Sequence, residues 1–296
     1  MVNTCRPAND MSAGSLLPVT VVVPVRDEAA ALGRLLPKLS CFARVIVVES
    51  SENPAGADVA RRHGAEFVVF EWQGGFPKKR TWAARQCHIA TEWTLFLDAD
   101  EEPTAAVVAE LGHVLRSTSH DGFWLAYDLF FLGRRLRFGV PQRKIALIRT
   151  GRGEYERIED RNWTDLDMEV HEHIVVRGSV GKIKARLLHR EEKTVPSYCH
   201  RHADYAAWEA RRYLALQEAA GTTNAPVLTV RQRVKYRIIT AWWFPAVYFL
   251  FQYVVRLGFL DGVPGLLFAQ LKAAYFVAVQ AAIVQRDPKL SRGDET

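Results

Sequence analysis

Cysteine is scarce in this chain of 296 residues. It occurs only at Cys5, Cys41, Cys87 and Cys199. No two of these form a C-x-x-C pair, so the sequence predicts neither a zinc site nor a disulfide framework. The first fifteen residues also lack an apolar run, so we expect no secretory signal and a catalytic part in the cytosol.

Internal repeats and low-complexity segments are absent as well. Hydrophobic residues make up 49% of the chain and charged residues 24%, a composition that argues against global disorder. The length fits one large domain, or one domain with an appendage. The net charge of +6 favours an anionic partner, which could be phosphate, nucleic acid or a membrane surface.

Apolar runs alternate with helical patterns through the first third of the chain. Val19 to Val25 is a continuous β-branched run, typical of a buried parallel strand. Further strands are predicted at 45–48, 67–70 and 94–97, with helices at 29–39, 55–63 and 78–90. This alternation predicts βαβ units and a doubly wound, mostly parallel sheet. Shorter strands follow at 144–148, 173–176 and 183–187, and the chain is predicted helical beyond Thr194.

Acidic residues follow all four of the early strands. They are Asp27 and Glu28, then Glu49, then Glu71, and finally Asp98 and Asp100. Ligands of open α/β sheets bind at the carboxyl ends of the strands. We therefore expect these carboxylates to meet at one site.

The stretch "TLFLDADEEP", Thr94 to Pro103, holds the most informative of these acids. In an extended segment, Asp98 and Asp100 would point to the same face. Oxygen ligands suit Mg²⁺ or Mn²⁺, which usually also bind substrate phosphates. The alternative is that the acids only stabilise the start of a helix near Ala105.

Three protein classes have carboxylates at such a strand end. Haloacid-dehalogenase-type phosphatases have a D-x-D after the first strand, whereas here it follows the fourth. Nucleotidyltransferases need a glycine-rich phosphate loop after the first strand, and residues 26–30, RDEAA, do not form one. The third class is the nucleotide-sugar glycosyltransferases.

The chain resembles family 2 glycosyltransferases of the GT-A fold in four ordered motifs, "VTVVVPVRDEAAAL", "VIVVESSENPAG", "FEWQGGFPKKRTWA" and "WTLFLDADEEP". Two later stretches, "EVHEHIVVRG" and "FLDGVPGLLFAQLKAAYF", resemble the lipopolysaccharide-core β-1,4-glucosyltransferase-like branch. The resemblance spans Val19 to Gln285. It implies a metal-dependent, inverting transfer from a UDP-sugar, with glucose as the sugar, to a lipopolysaccharide-core or other lipid-linked saccharide. Two residues depart from the usual family pattern, Asp27 in place of Asn and Glu49 in place of Asp.

The resemblance also implies a donor site. Its residues are Pro24, Glu28, Glu49, Lys78, Lys79, Arg80 and Asp98. The first three would surround uracil and ribose, where carboxylates accept hydrogen bonds. The cations at 78–80 open a helix whose N-terminus is itself positive, a placement that favours an incoming diphosphate. A solvated basic turn is the alternative. Asp98 would contact ribose and metal, and Asp100 metal.

An inverting transfer needs a base for the acceptor hydroxyl. We predict Glu172 in "DMEVHEHIVV", with Glu169 and Asp167 as alternatives. His173 is predicted to complete the metal shell, with His171 as an alternative, although either could be a structural histidine held by hydrogen bonds. His189, at the end of the next strand, is a lower-ranked candidate of the same kind.

A basic and aromatic stretch runs from Phe130 to Lys144. Its residues Arg143 and Lys144 are predicted to bind a phosphorylated or acidic acceptor, and a solvated loop is the alternative. Nucleic acid would also suit this composition, but no nucleic-acid fold signature accompanies it, so we predict none.

The uncharged run Ile238 to Val255 is just long enough to span a membrane. Pro245 and the Trp242–Trp243 pair favour the interface instead. We predict amphipathic or re-entrant helices on the cytoplasmic face of the inner membrane. A single span, or helices that pack on the catalytic domain or form a dimer, are the alternatives. The sequence sets no oligomeric state.

The predicted organisation has a flexible segment 1–17, a nucleotide-sugar-binding half 18–121, an acceptor and catalytic half 122–193, and a membrane-associating helical region 194–296. Two other functions remain open at this point. A metal-dependent phosphohydrolase would release phosphate from simple esters without an acceptor. A non-catalytic membrane-bound partner protein would tolerate loss of Asp100.

Overall fold

The structure is a computed structural model. It describes residues 16–51, 55–161, 163, 165–168, 173–190, 194–220, 226 and 228–287. The chain forms two compact units. The first consists of Met1–Phe130, Pro141–Glu159 and Leu166–Glu191, and the second of Phe131–Val140, Asp160–Asp165 and Glu192–Thr296.

The strands and helices alternate first and separate later. The strands are β1 Leu17–Val25, β2 Phe42–Glu49, β3 Glu66–Val69, β4 Trp93–Phe96, β5 Glu101–Glu102, β6 Gly122–Phe131, β7 Arg134–Leu136, β8 Arg143–Arg149, β9 Gly153–Tyr155, β10 Ile174–Val176 and β11 Val180–Arg190. The α-helices are α1 Ala29–Leu35, α2 Gly56–Arg62, α3 Lys79–Gln86, α4 Ala105–Val114, α5 Val195–Ala219, α6 Val230–Ile238, α7 Phe244–Leu250 and α8 Gly262–Arg286. Short 3₁₀ turns lie at Leu36–Leu39 and Gly258–Asp261, and a π-helical turn at Phe251–Val255.

The main sheet has the strand order β3-β2-β1-β4-β8-β6-β11-β5. The first four strands are parallel to one another, and so are β6 and β11. β8 runs antiparallel to β4 and β6, and β5 antiparallel to β11. The predicted α/β fold with a mostly parallel sheet is confirmed. β9 and β10 form a separate antiparallel pair.

Burial on both faces explains why β1 and β2 have continuous apolar sequences. Val19, Val21 and Val23 pack into one core cluster together with Leu32, Leu35 and Leu111 from the helices. Val22, Ile46 and Phe96 belong to a second cluster. Successive side chains of a strand alternate between faces, so a strand buried on both faces has apolar residues at nearly every position.

The early strands and helices lie where the sequence predicts them, and the boundaries differ for local reasons. The predicted helix 29–39 is α-helical only to Leu35 and continues as a 3₁₀ turn, because Pro37 cannot donate the next helical hydrogen bond. β6 was not predicted, since Asp128 interrupts its apolar run. In the structure Asp128 is buried and accepts a hydrogen bond from the Arg186 guanidinium at 2.6 Å.

The second unit is helical, as predicted beyond Thr194. Ala206 and Ala210 of α5, Tyr236 of α6, Phe244 of α7, and Val279 and Ile283 of α8 form its core. Gly258–Arg286 is long and apolar enough to cross a membrane, by length and composition alone.

Candidate active site

Glu49, the last residue of β2, is fully buried at the carboxyl edge of the sheet. Its Oε1 accepts backbone N–H groups from Asp27 at 3.2 Å and from Ser50 and Ser51 at 2.9 Å each. Its Oε2 is equally buried and has no hydrogen-bond partner within the described residues. A buried carboxylate oxygen without a partner is costly, and Oε2 can accept a hydrogen bond from a ligand or from a water molecule.

Lys79 and Asp167 connect the ends of β1 and β2 to the start of α3. The Lys79 ammonium donates to the carbonyl of Val25 at 2.6 Å and lies 3.2 Å from Asp167 Oδ2. Asp167 also accepts a short hydrogen bond from the Ser50 hydroxyl, and its carbonyl accepts the Lys79 N–H at 3.0 Å. Burial lowers the pKa of Lys79, against the opposing effect of Asp167. Asp167 therefore has a structural role here.

Asp98 lies between two cations. Arg80 of α3 donates to Oδ1 through a short hydrogen bond, and the Lys144 ammonium of β8 donates to Oδ2 at 3.0 Å. Burial acts to raise the pKa of Asp98, but Arg80 and Lys144 outweigh it and hold that pKa well below its usual range. Asp98 is ionised at every physiological pH, and the site contains its own positive charge.

The acidic stretch turns instead of continuing as a strand. β4 ends at Phe96, and the N–H of Glu101 donates to the carbonyl of Asp98 at 2.9 Å, which closes a turn through Asp100. The predicted extended segment at Asp98 to Asp100 was wrong, because this turn hydrogen bond replaces strand pairing. The Glu101 side chain returns across the turn, where its Oε2 accepts the N–H of Asp98 at 3.0 Å.

The acids of this stretch do not cap the following helix. Glu101 and Glu102 form β5, paired with His189 and Leu188 of β11. The N-cap of helix α4 is instead Thr104, whose hydroxyl accepts the N–H of Val107 at 3.2 Å. The first turn of the helix contains no acid. The helix-capping alternative for these carboxylates is therefore excluded.

Asp100 has a histidine beside it. His189 Nε2 lies 3.6 Å from Asp100 Oδ2, and its Nδ1 lies 3.8 Å from Glu101 Oε1. The imidazole stacks on Tyr127 with a centroid distance of 5.0 Å. Burial acts to lower the pKa of His189, but Asp100 and Glu101 raise it to about 9. His189 is thus the cationic partner of Asp100, as Arg80 and Lys144 are of Asp98.

The other carboxylates are balanced as well. Glu101 lies 2.6 Å from the Lys144 ammonium, and Glu102 pairs with Lys38 and, at 3.3 Å, with Arg190. Every acid from Asp98 to Glu102 therefore has a basic neighbour. A dianionic ligand could take the place of a carboxylate as the partner of these basic side chains.

The donor set of the turn fits a hard divalent cation. Asp98 and Asp100 have side chains that are 31% and 25% exposed, and both offer only oxygen atoms. Among the described residues no three histidine, cysteine or acidic side chains converge on one point. Mg²⁺ and Mn²⁺ sites in phosphate-binding enzymes commonly use one or two carboxylates and complete the shell with phosphate oxygens and water. The two aspartates meet that requirement.

The remaining predicted donor residues are Pro24, Glu28 and Lys78, which are near the groups described above in sequence. Pro24 is buried in β1 and pairs with Val48, and Glu28 precedes α1, where its carbonyl accepts the N–H of Leu32 at 3.0 Å. Lys78 is buried directly before α3.

The structure describes two of the remaining predicted residues, Arg143 and His173. Arg143 starts β8 and packs its guanidinium over Trp124 at 5.1 Å. His173 has an exposed side chain just before β10, and its carbonyl accepts the N–H of Glu156 at 2.9 Å. The predicted base Glu172 lies outside the described residues, as do Glu169 and His171.

Sequence reasoning ranked two of the residues above too low. His189 was ranked below His173, although pairing of β5 with β11 brings it to Asp100. Lys144 was assigned to the acceptor, yet it contacts Asp98 and Glu101. Both lie on strands whose neighbours are distant in sequence, so no local pattern indicates their partners.

Comparison with known proteins places this geometry in context. No protein-family model matches the chain. It is 25% identical over 283 residues to the lipopolysaccharide core biosynthesis glycosyltransferase LpsC of Rhizobium meliloti, a match that covers 91% of this chain and 93% of that protein. A stretch of 115 residues, 38% of each chain, is 29% identical to an uncharacterized glycosyltransferase of Rickettsia bellii. Among solved structures, the mannosyltransferase PcManGT of Pyrobaculum calidifontis, in complex with GDP-Man and Mn²⁺, matches 92% of this chain and 88% of its own with a TM-score of 0.50 and 13% identity.

The fold is that of GT-A glycosyltransferases, and the sequence relationship identifies the chain as a glycosyltransferase. Its sequence is similar to that of a lipopolysaccharide-core glycosyltransferase, in agreement with the motif resemblance.

Proposed function

We propose that the chain transfers glucose from a UDP-sugar to a lipopolysaccharide-core or other lipid-linked saccharide, with inversion and with Mg²⁺ or Mn²⁺. The uracil base of the donor, the transferred sugar and the acceptor in this proposal come from the motif resemblance. The similarity to LpsC supports the acceptor class. The observation on which the donor site depends is Glu49. A fully buried carboxylate with one satisfied and one unpartnered oxygen is suited to a ribose hydroxyl or a base N–H.

The cations of the site supply the diphosphate subsite. Arg80 and Lys144 both contact Asp98, and Lys79 lies on the same helix one residue before Arg80. A diphosphate can replace the carboxylate as their partner with little rearrangement, because the guanidinium and ammonium groups are already positioned. Lys144 then acts on the donor, and Arg143 remains the proposed acceptor contact.

Asp98 and Asp100 would hold the cation. When bound, it supplies positive charge that stabilises the departing diphosphate. His189, held in its charged form by Asp100 and Glu101, keeps the balance of charge in the turn before the metal arrives. His173 remains the third proposed ligand.

Glu172 is proposed as the base that takes the proton of the acceptor hydroxyl. Of its two alternatives, Asp167 has a carboxylate that accepts a hydrogen bond from the Ser50 hydroxyl and lies 3.2 Å from the Lys79 ammonium. A carboxylate held in this way would have to break a buried network to accept a proton from a substrate. This favours an acid from 169–172 as the base.

The catalytic unit is proposed to work at the cytoplasmic face of the inner membrane, with the second unit as its peripheral anchor. The core of that unit argues against a span. α8 packs along α5, and α5 contains Glu209, buried and paired with Lys235 at 2.8 Å, and the buried Arg212. A bilayer that α8 crossed would also enclose these charges.

The test is calorimetric titration of UDP, with and without Mn²⁺, into the wild type, Asp100→Asn and Glu49→Gln. We expect the wild type to bind UDP more tightly with Mn²⁺, and Asp100→Asn to lose that gain. Glu49→Gln should weaken UDP binding at least tenfold with or without metal, because the buried acceptor is replaced by a donor. Val175→Ser, an exposed change on β10, is the control. Folded protein that binds no UDP, while it binds GDP or another nucleotide, would overturn the donor assignment.

A further inference from the structure

The helices that end the described chain form a hairpin with an uncovered apolar side. α7 and the π-helical turn lead to a tip at Val254–Val263, and α8 returns from it. At this tip the exposed side chains are almost all apolar. They include Val254, Val255, Leu257, Phe259, Leu260 and Val263, each between 44% and 66% exposed. Exposed apolar area of this kind indicates an interaction surface.

The same exposure continues along one face of α7. Trp243, Val247, Leu250 and Val254 follow one another at spacings of four, three and four residues, and each is at least 39% exposed. That spacing puts Trp243, Val247 and Leu250 on one side of α7, and Val254 follows in the π-helical turn. Trp242, just before the helix, is 87% exposed. An aromatic pair at the end of an apolar stripe is typical of helices that lie in a membrane interface.

Charge around the hairpin has one sign. Between Val230 and Arg286 the sequence has seven basic residues and a single acid, Asp261. The Asp261 carboxylate accepts two backbone N–H groups. The N–H of Arg137 lies 3.0 Å from Oδ1 and 3.1 Å from Oδ2, and the N–H of Phe138 lies 2.9 Å from Oδ2. No other acid in this stretch offsets the basic residues.

These hydrogen bonds hold a second basic segment against the tip. We call Leu132–Phe138 the arginine loop, because Arg134, Arg135 and Arg137 in it are all exposed. Three further contacts fix its end. The N–H of Gly139 donates to the carbonyl of Arg256 at 2.8 Å, the N–H of Val140 donates to Gln252 Oε1 at 2.8 Å, and the Arg256 guanidinium donates to the carbonyl of Gly139 at 3.4 Å.

The attachment is built into the sequence. Gly139 has a φ of +88°, and a Cβ there would lie 2.4 Å from the Gln252 amide nitrogen, so only glycine fits. Gln252 itself is buried in the π-helical turn, a feature that often marks functional sites. Residues 110 or more positions apart in sequence are thus joined into one basic and apolar surface.

We propose that the hairpin tip and the arginine loop together form the docking surface of this protein for a bilayer that contains anionic phospholipid. The apolar side chains would enter the acyl boundary while the arginines contact headgroup phosphates. This deepens the proposed peripheral anchoring by naming its residues and its lipid charge. It does not depend on catalysis.

The test is sedimentation of the full chain with vesicles of phosphatidylcholine alone and of phosphatidylcholine with phosphatidylglycerol. We expect strong binding only to the anionic vesicles, weakened by salt. Arg134→Glu/Arg137→Glu should bind at least tenfold more weakly, from about fivefold per arginine near an anionic surface. Arg61→Glu/Arg157→Glu changes the net charge by the same amount on exposed arginines of the first unit and should bind like the wild type. Equal loss in both double variants would overturn the proposal.

Two further arms separate the apolar and the clamping contributions. Leu260→Ser/Val263→Ser should lose binding, while Val69→Ser/Val175→Ser, two exposed valines of the first unit, should not. Asp261→Ala removes a negative charge, so charge alone predicts tighter binding. We expect weaker binding, because the arginine loop loses its clamp. The control Asp204→Ala removes an exposed acid of α5 without touching the loop. Tighter binding by Asp261→Ala would overturn the composite surface.

The remaining outcomes are equally informative. If the tip variants change the oligomeric state in light scattering and leave vesicle binding intact, the surface is covered by a second copy of the chain and the proposal fails. Failure of the donor site is measured separately. Asp100→Asn should still bind vesicles, and Arg134→Glu/Arg137→Glu should still bind UDP.

Discussion

At the scale of single residues, the site consists of carboxylates paired with basic side chains, and a ligand can replace a carboxylate as the partner of a cation. Asp98 and Asp100 are ionised beside Arg80, Lys144 and His189, all contributed by elements other than the acidic turn. Buried charges of both signs are expensive unless they are paired. The pairs therefore keep the turn folded without a ligand, and the ligand needs only to displace a carboxylate.

The raised pKa of His189 gives a stability change with pH. Its pKa is about 9 in the folded chain and near 6.5 when unfolded, so the stabilisation is complete below about pH 6.5. It is lost as the pH rises through 9. Unfolding by urea in the presence of EDTA should show this for the wild type, with a total contribution of at most about 3 kcal/mol.

The comparison variant is His189→Gln, which cannot titrate. Its unfolding free energy should differ most from the wild type below about pH 6.5 and approach it near pH 9 to 10. A constant difference over that range would mean that His189 is not the charged partner of Asp100. The control is His113→Gln, which removes an exposed histidine at the end of α4 in the same unit and should leave the pH profile unchanged.

At the scale of elements, the two-residue strand β5 determines the shape of the acidic turn. It joins the turn to β11, so that Glu101 lies opposite His189 and Glu102 opposite Leu188. Immediately afterwards Thr104 starts α4. Its hydroxyl accepts the Val107 N–H and donates to the carbonyl of Arg186 at 3.2 Å. One side chain thus joins the helix start to the same strand.

Removing that hydroxyl should destabilise the fold measurably. Thr104→Ala should lower the free energy of unfolding by about 0.5 to 2 kcal/mol, the range typical of a lost N-cap. Thr104→Ser, which keeps the hydroxyl, should lose less than half of that. Urea unfolding monitored by circular dichroism measures both. Equal losses in the two variants would indicate that the methyl group, and not the cap, stabilises α4.

The sequence predicts the elements whose signals are local. β1 is predictable from its run of valines, and the positions of α3 and β4 follow from the alternation of strands and helices. β5 was not predictable, because two glutamates have no strand propensity of their own and are extended only through their pairing with β11. The turn at Asp98 to Asp100 was missed for the same reason.

The site shows the same limit. Asp98, Asp100, Arg80 and Glu49 follow strand ends or open a helix, where sequence rules apply. Their partners do not. Lys144 and His189 become neighbours of the acidic turn only through pairing of β8 with β4 and of β11 with β5, across 46 and 89 positions of sequence. Such pairings depend on the order of strands in the sheet, which no short motif encodes.

At the scale of the whole molecule, the two units have separate chemical tasks in our proposal. The first unit contains the donor site, and the second contains the docking surface. Changes in the docking surface should then affect only a substrate that is held in a membrane.

This division predicts a split in activity. Arg134→Glu/Arg137→Glu should hydrolyse the UDP-sugar as slowly as the wild type does. It should also transfer sugar at the wild-type rate to truncated lipopolysaccharide dispersed in detergent. Transfer to the same acceptor in anionic vesicles should fall at least tenfold, because less enzyme reaches the surface. Arg61→Glu/Arg157→Glu is the control. An equal loss in detergent and vesicles would place the arginines in acceptor binding instead.

The pairing of β5 with β11 also limits how this chain can vary. Side chains of a strand alternate between faces, so a slip of one residue would put Leu188 where His189 now lies beside Asp100. The sheet could still form, yet the turn would lose its cation. An insertion or deletion within the last residues of β11 should therefore remove the cation from the turn, whereas a change of length in a connection outside the sheet leaves the register intact.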